Sequence, residues 1–237
     1  MTICYFLTFH APEHPDARVS DADKAAVIDI VKTTPGLARA LVFTPEVTHD
    51  PYLHDGAPPL LALQLYFPDI ATLEAALGRS GHLQALAARR FPSLAQAAVA
   101  QQAMAGRILP VPDPRFQTAP GERPCTYMVA YEGEAEDRIG WLTHYVASHG
   151  PIMARFPGIR QVEIFTRIDW LGALPWPRVD YMQRNKVVFA SPAALRAALS
   201  SPVRHEMRAD YKAFPPFTGN NSHYPFATET IVPGATR

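Results

Sequence analysis

The chain has 237 residues, 48% of them hydrophobic and 19% charged, enough to bury a sizeable core as one large domain or as two of about 100 residues. Lys+Arg and Asp+Glu balance at 22 each, which points away from nucleic acid and from anionic membrane surfaces as partners. The run Thr2–Phe9 is too short and lacks the basic flank for a signal segment, no stretch of about 18 apolar residues occurs, and two cysteines make no disulfide framework, so a cytoplasmic chain is expected.

In chain order, Ile3–Phe9 is rich in β-branched and aromatic residues and predicts a strand. Ser20, with Asp23 three residues on, caps a helix that continues through Lys24–Val31 and stops at Pro35-Gly36. Strands are expected at Ala40–Thr44 and Leu60–Phe67, with a loop of Asp, His and Pro between them at His49–Pro59. Asp69 caps a helix over Ile70–Ala87, and Leu94–Leu109 closes the half as an extended segment, although its alanines and glutamines also suit a helix. Residues 110–124 carry several prolines and read as an extended linker between halves 1–109 and 125–237. The pattern then restarts: strand Cys125–Tyr131, helix Glu136–Phe156, strands Gln161–Arg167 and Lys186–Ala190, a helix opened by Ser191-Pro192, and a last strand His223–Val232.

The two halves share landmarks at one spacing. Pro35-Gly36-Leu37 through Phe43-Thr44 recurs 122 residues later as Pro157-Gly158-Ile159 through Phe165-Thr166. Leu73–Leu77 (LEAAL) matches Leu195–Leu199 (LRAAL), Tyr5 matches Tyr127 and Phe67 matches Phe189 at the same offset. This predicts an internal duplication, each half a β-α-β-β-α-β ferredoxin-like unit. Two such antiparallel sheets can cover each other's bare faces, so the expected fold is an α+β barrel with pseudo-twofold symmetry and room for a cavity between the sheets.

On the second half's first helix, Trp141, Tyr145 and His149 recur every fourth residue and share a stripe that drifts by about 40° per step. The equivalent first-half positions are Val19, Asp23 and Val27, so the chain carries this stripe once, which suggests one site with the first half as lid or wall. The run W-x-x-x-Y-x-x-x-H-G-P, followed by F-P-G-I and later by Asp210-Tyr211 and Phe214, resembles the EthD-like members of the dimeric α+β barrel superfamily over roughly Cys125–Val232. The resemblance implies a barrel and a small organic ligand, with Asp210 at an acidic helix end, but no single reaction.

His149 is the leading catalytic candidate, because an imidazole that titrates near neutrality can take and return a proton. Read as structure alone, it is a helix-end histidine bonding a carbonyl. Tyr145 could hold a developing oxyanion and Trp141 could line the pocket, although aromatics at helical spacing more often build core. His144 falls off the stripe and is expected at the surface. His223 and Tyr224 follow the polar turn Phe217–Ser222, and strand alternation lets only one of them face a cavity; His223 is taken as catalytic and Tyr224 as a substrate contact. Tyr127 and Trp170 complete the substrate candidates, although a position shared by both halves, as Tyr127 is with Tyr5, also suits packing. The loops His49–Pro59 and Asp169–Asn185 (with Trp176) are candidate gates.

His10 with His14, and His49 with His54, Asp50 and Asp55, lack the spacing of a metal site, so no metal and no cofactor are expected. No phosphate loop, nucleophile elbow or Ser-His-Asp order is visible. The sequence thus suits a cofactor-free lyase, isomerase or oxygenase acting on a small apolar, oxygenated or aromatic compound. The rivals are a non-catalytic barrel for a hydrophobic ligand and a noncovalent haem protein. Duplication removes the need for a barrel-forming dimer and leaves a homodimer through another contact open.

Overall fold

The structure, a computed structural model, describes residues 2–48, 53, 55–116, 118 and 121–234. Eight strands form a closed antiparallel barrel: β1 Thr2–His10, β2 Arg39–Pro45, β3 Leu61–Phe67, β4 Ala98–Leu109, β5 Cys125–Tyr131, β6 Ile159–Arg167, β7 Gln183–Phe189 and β8 Asn221–Ile231, in the order β1-β3-β2-β8-β5-β7-β6-β4. The two halves meet edge to edge along β2–β8 and β4–β6, with Val42 opposite Glu229 and Arg107 opposite Ile164, so closure leaves no strand edge unpaired.

Strand alternation sorts the apolar residues into three cores. Cys4, Phe6, Leu41, Phe43, Met104, Met128, Phe165 and Phe226 point inward and fill much of the barrel. Tyr5, Leu7 and Phe9, with Leu61, Leu63 and Leu65, point outward under the first half's helices α1 Asp21–Lys32, α2 Ile70–Leu77 and α3 Gln84–Ala88. Tyr127, Val129, Tyr131, Val162 and Ile164 do the same under the second half's helices α4 Arg138–His144, α5 Gly150–Met153, α6 Pro192–Leu199 and α7 Pro202–Tyr211. No helix among the described residues is long and apolar enough to cross a membrane.

Several expected boundaries shift, for local reasons. The helix expected over Ile70–Ala87 breaks at Gly78, whose ψ of 172° is extended, and α3 begins only after it. A Cβ on Gly81 would sit 2.3 Å from the Ala76 carbonyl oxygen, so the chain doubles back there as only glycine allows. Leu94 belongs to a 3₁₀ turn at Pro92–Leu94, and the closing strand starts at Ala98. β7 starts at Gln183, earlier than expected, because Gln183, Arg184 and Asn185 are polar on both faces of the strand and show no alternation. Cys4 and Cys125 are buried, free thiols, both pushed by burial up to about 12.

Inward side chains fill much of the space expected between the sheets and leave a cavity of about 130 Å³ at one end of the barrel. An apolar cavity of about 250 Å³ lies instead on the outer face of β5, β7 and β8, beneath the second half's helices.

Candidate active site

Asp137 caps α4 by accepting from the Gly140 amide, and the helix runs on through a wider turn at Tyr145–His149 in which the Gly150 amide donates to the Tyr145 carbonyl five residues back. Pro151 follows at once. It has no N–H for the carbonyl four residues behind it and its ring crowds that carbonyl, which favours a locally widened helix. A wider turn undoes part of the drift between Tyr145 and His149, so both rings face the sheet, 4.8 Å apart. Gly150 lets this turn lie close to β4 and β6: a Cβ there would sit 2.7 Å from Leu109 Cδ1 and 2.9 Å from Ile164 Cδ1.

His149 is 5% exposed. Its Nδ1 lies 2.8 Å from Asp210 Oδ2 at the end of α7. The same carboxylate accepts from Ser148 Oγ at 2.5 Å and His144 Nε2 at 3.1 Å. Burial works to raise the Asp210 carboxyl, but the hydrogen bonds from Ser148 and His149 outweigh it and hold the group below its ordinary value. An ionised carboxylate only accepts, so the proton sits on His149 Nδ1 and the neutral ring keeps its lone pair on Nε2. Burial pushes the imidazole down to about 4 against the opposing pull of Asp210, so it is neutral at pH 7.

His149 lines a cavity of about 250 Å³ walled by Tyr127, Val129, Tyr131, Met153, Phe156, Val187 and Phe189. An apolar cavity of about 150 Å³ is enough to hold benzene. This one therefore has room for one substituted ring or two fused ones. Its polar points are few. Tyr145 donates to Asn185 Oδ1 at 2.6 Å, and Asn185 Nδ2 reaches Met153 Sδ at 3.2 Å. Burial raises the Tyr145 phenol well above its usual range, so it is a donor and not a base. Arg204, Arg208 and Lys212 border the cavity from α7 and from the residue just past it.

The candidates read from the sequence separate cleanly in space. His149, Tyr145, Tyr127 and His223 all line this cavity. His223 Nδ1 bonds Asp55 Oδ2 at 2.9 Å, and its ring faces Tyr127 at 5.9 Å. Trp141 is one layer back, stacked on Tyr145 at 5.1 Å and closed off by Tyr131, Phe214 and Phe217, so it stiffens the wall without lining the space. Tyr224 points to the other side of β8, packs on Phe226 and donates to the Asp55 carbonyl at 3.1 Å. Trp170 packs edge-on against Tyr5 at 5.7 Å, with the Arg178 guanidinium 3.9 Å over its ring, and Trp176 packs against Phe9. The β6–β7 connection thus crosses over to cover the first half and leaves the His149 cavity alone. The β2–β3 loop makes the reciprocal crossing, with Leu53 reaching the His149 cavity and Asp55 reaching His223. His49, Asp50 and His54 lie outside the described residues. Among the described residues, no three His, Cys, Asp or Glu side chains converge as metal ligands would.

His144, expected at the surface, joins the Asp210 cluster with its side chain 27% exposed. Ser148 and Asn185 went unmarked in the sequence. Asp210 was visible there only through the family resemblance, since 61 residues separate it from His149.

No family model and no curated protein matches the chain. Solved structures do match. An anthrone oxidase-like protein aligns at a TM-score of 0.62 with 12% identity, over 99% of this chain and 94% of its own. A candidate monooxygenase from Fusobacterium nucleatum subsp. nucleatum ATCC 25586 aligns at 0.58 with 12% identity, over 99% and 96%. Another from Lactobacillus acidophilus NCFM aligns at 0.56 with 11% identity, over 100% and 99%. At these identities the shared property is the fold.

Proposed function

We propose that this chain is an enzyme that removes a proton from a small, mainly apolar, oxygenated aromatic compound, with His149 as the base. One observation carries the reading: a buried imidazole whose Nδ1 is held by the Asp210 carboxylate, leaving Nε2 as the nitrogen available in a cavity of one- or two-ring size. Burial keeps the ring neutral before reaction, and the adjacent carboxylate stabilises the imidazolium once the proton has moved. The substrate is left as an enolate or phenolate, whose charge Arg204 and Arg208 at the cavity edge would offset. Tyr145 and Asn185 would orient the ring, and His223, held by Asp55, would close the far wall. An electron-rich anion of this kind is the common starting point for isomerisation, bond cleavage and reaction with oxygen. The oxidase and monooxygenase descriptions of the structural neighbours favour the last.

The constant 122-residue spacing and the equal order of strands and helices in the halves support a tandem EthD-like, ferredoxin-like duplication with halves 1–109 and 125–237. In the first half the position of His149 is taken by Val27, fully buried in an apolar core. The active dyad would then belong to one half alone.

A haem held through Nε2 fits less well. A histidine backed by a carboxylate is a recognised pattern for a metal ligand, but a cavity of about 250 Å³ falls well short of a four-ring macrocycle. Proton exchange tests the main reading directly. A panel of phenols, hydroxyquinones and ring ketones is incubated with the protein in D₂O, and loss of ligand C–H signal is followed by NMR. At least one compound should exchange faster with the wild type than with His149→Ala. Equal exchange with both proteins across the panel would remove the proposal, and a non-catalytic binding barrel would take its place.

A further inference from the structure

β7 presents opposite faces to two different spaces. Asn185 faces the His149 cavity, while its neighbour Arg184 points into the barrel, where a second cavity of about 130 Å³ opens at the end formed by the start of β7 and β8. Arg184 is 6% exposed. Its guanidinium lies 4.5 Å from the Tyr181 ring centre and 5.2 Å from that of Phe6. Neither contact is a hydrogen bond, so its five N–H donors still need acceptors. Among the described residues the one acceptor is Gln102 Oε1, at 3.5 Å from Nε, the outer limit of a hydrogen bond. No carboxylate among the described residues forms an ion pair with it, although Glu132 borders the same cavity and is felt electrostatically. Burial lowers the guanidinium to about 10, so it is still charged at neutral pH.

A buried cation with so few acceptors is costly unless an anion meets it. The planar fork suits a carboxylate bound through both oxygens. The rest of the cavity wall is mixed: Phe6, Phe43, Met128 and Phe226 form its apolar side, and Thr8, His10, Glu132, Ser222 and Tyr224 supply polar groups. We propose that this end of the barrel lumen is a binding site for a small organic carboxylate, its acid group on Arg184 and its apolar body against Phe43, Met128 and Phe226. The site is separate from the His149 cavity and does not depend on the chemistry assigned there.

Methionine methyl groups report on the two cavities independently: Met128 lines the lumen site, and Met153 and Met207 line the His149 cavity. The full chain, labelled with ¹³C at the methionine methyls, would be titrated with propionate, small enough for this volume, and, in parallel, with uncharged propionamide. Propionate should shift Met128 saturably, and propionamide should need at least about tenfold higher concentration for the same shift. Arg184→Met, which removes the charge at similar volume, should weaken propionate by about tenfold or more at Met128 and leave any response of Met153 unchanged. Glu132→Gln should tighten it by removing a competing negative charge. No Met128 shift in the wild type would overturn the proposal. Equal responses to propionate and propionamide would overturn it as well, without reference to any variant.

Discussion

Removing the Asp210 carboxylate separates the stability of the helix pair from the chemistry of His149. Asp210 accepts three hydrogen bonds, at 2.5, 2.8 and 3.1 Å, from Ser148, His149 and His144. At a net worth of about 1 kcal/mol each, Asp210→Ala should cost about 3 kcal/mol, with the two bonds to the more buried donors contributing most. For a chain of this length, about 2–4 °C of Tm follows each kcal/mol, so a drop of roughly 6–12 °C is expected by calorimetry. Asp210→Asn keeps the shape and should cost less. Its amide, turned to donate to Nδ1, moves the ring proton of His149 to Nε2, and the base is lost while the cavity stays. Long-range ¹H–¹⁵N spectra of the imidazole should show the proton on Nδ1 in the wild type and on Nε2 in Asp210→Asn. Substrate exchange should slow by about 10²–10⁴ with little change in ligand affinity. An unchanged tautomer together with an unchanged exchange rate would refute the dyad argument.

Three other outcomes test the surrounding structure. The folded state keeps His149 neutral down to about 4, against about 6.5 in the unfolded chain, so the stability it contributes is present above about pH 6.5 and is lost as pH falls towards 4. Tm measured across that window should fall by the equivalent of up to about 3 kcal/mol, and His149→Phe should flatten the decline. Gly150→Ala meets only the terminal methyls of Leu109 and Ile164, which can give way, and gains about 1 kcal/mol of helix propensity, so urea unfolding should show a net change within about 1 kcal/mol. In the barrel interior, Glu163 accepts from Tyr66 at 2.7 Å and from Arg39 at 3.1 Å and lies 3.5 Å from the fully buried Lys186, whose ammonium burial lowers to about 8. Glu163→Leu strands that cation and should cost about 3–5 kcal/mol, and adding Lys186→Met should recover much of the loss in the same unfolding assay.

Much of the architecture is legible locally. β-branched and aromatic runs, Ser20, Asp69 and Ser191 as caps, and glycines after Pro35 and Pro157 place the main elements, because these features act within a few residues of themselves. The every-fourth-residue stripe likewise singles out Tyr145 and His149, since helical spacing is a property of neighbours. Alternation along β8 separates His223 from Tyr224 without stating which side holds the cavity. Only packing decides that: inward side chains fill most of the barrel and leave about 130 Å³, while the helices standing off the outward face leave about 250 Å³. The partnership of His149 with Asp210, the crossing of each half's loop onto the other half, and the burial of Arg184 inside the barrel join residues tens to more than a hundred positions apart. Hydrogen bonding and burial between such distant residues exist only once the barrel has closed, and so they belong to the tertiary structure alone.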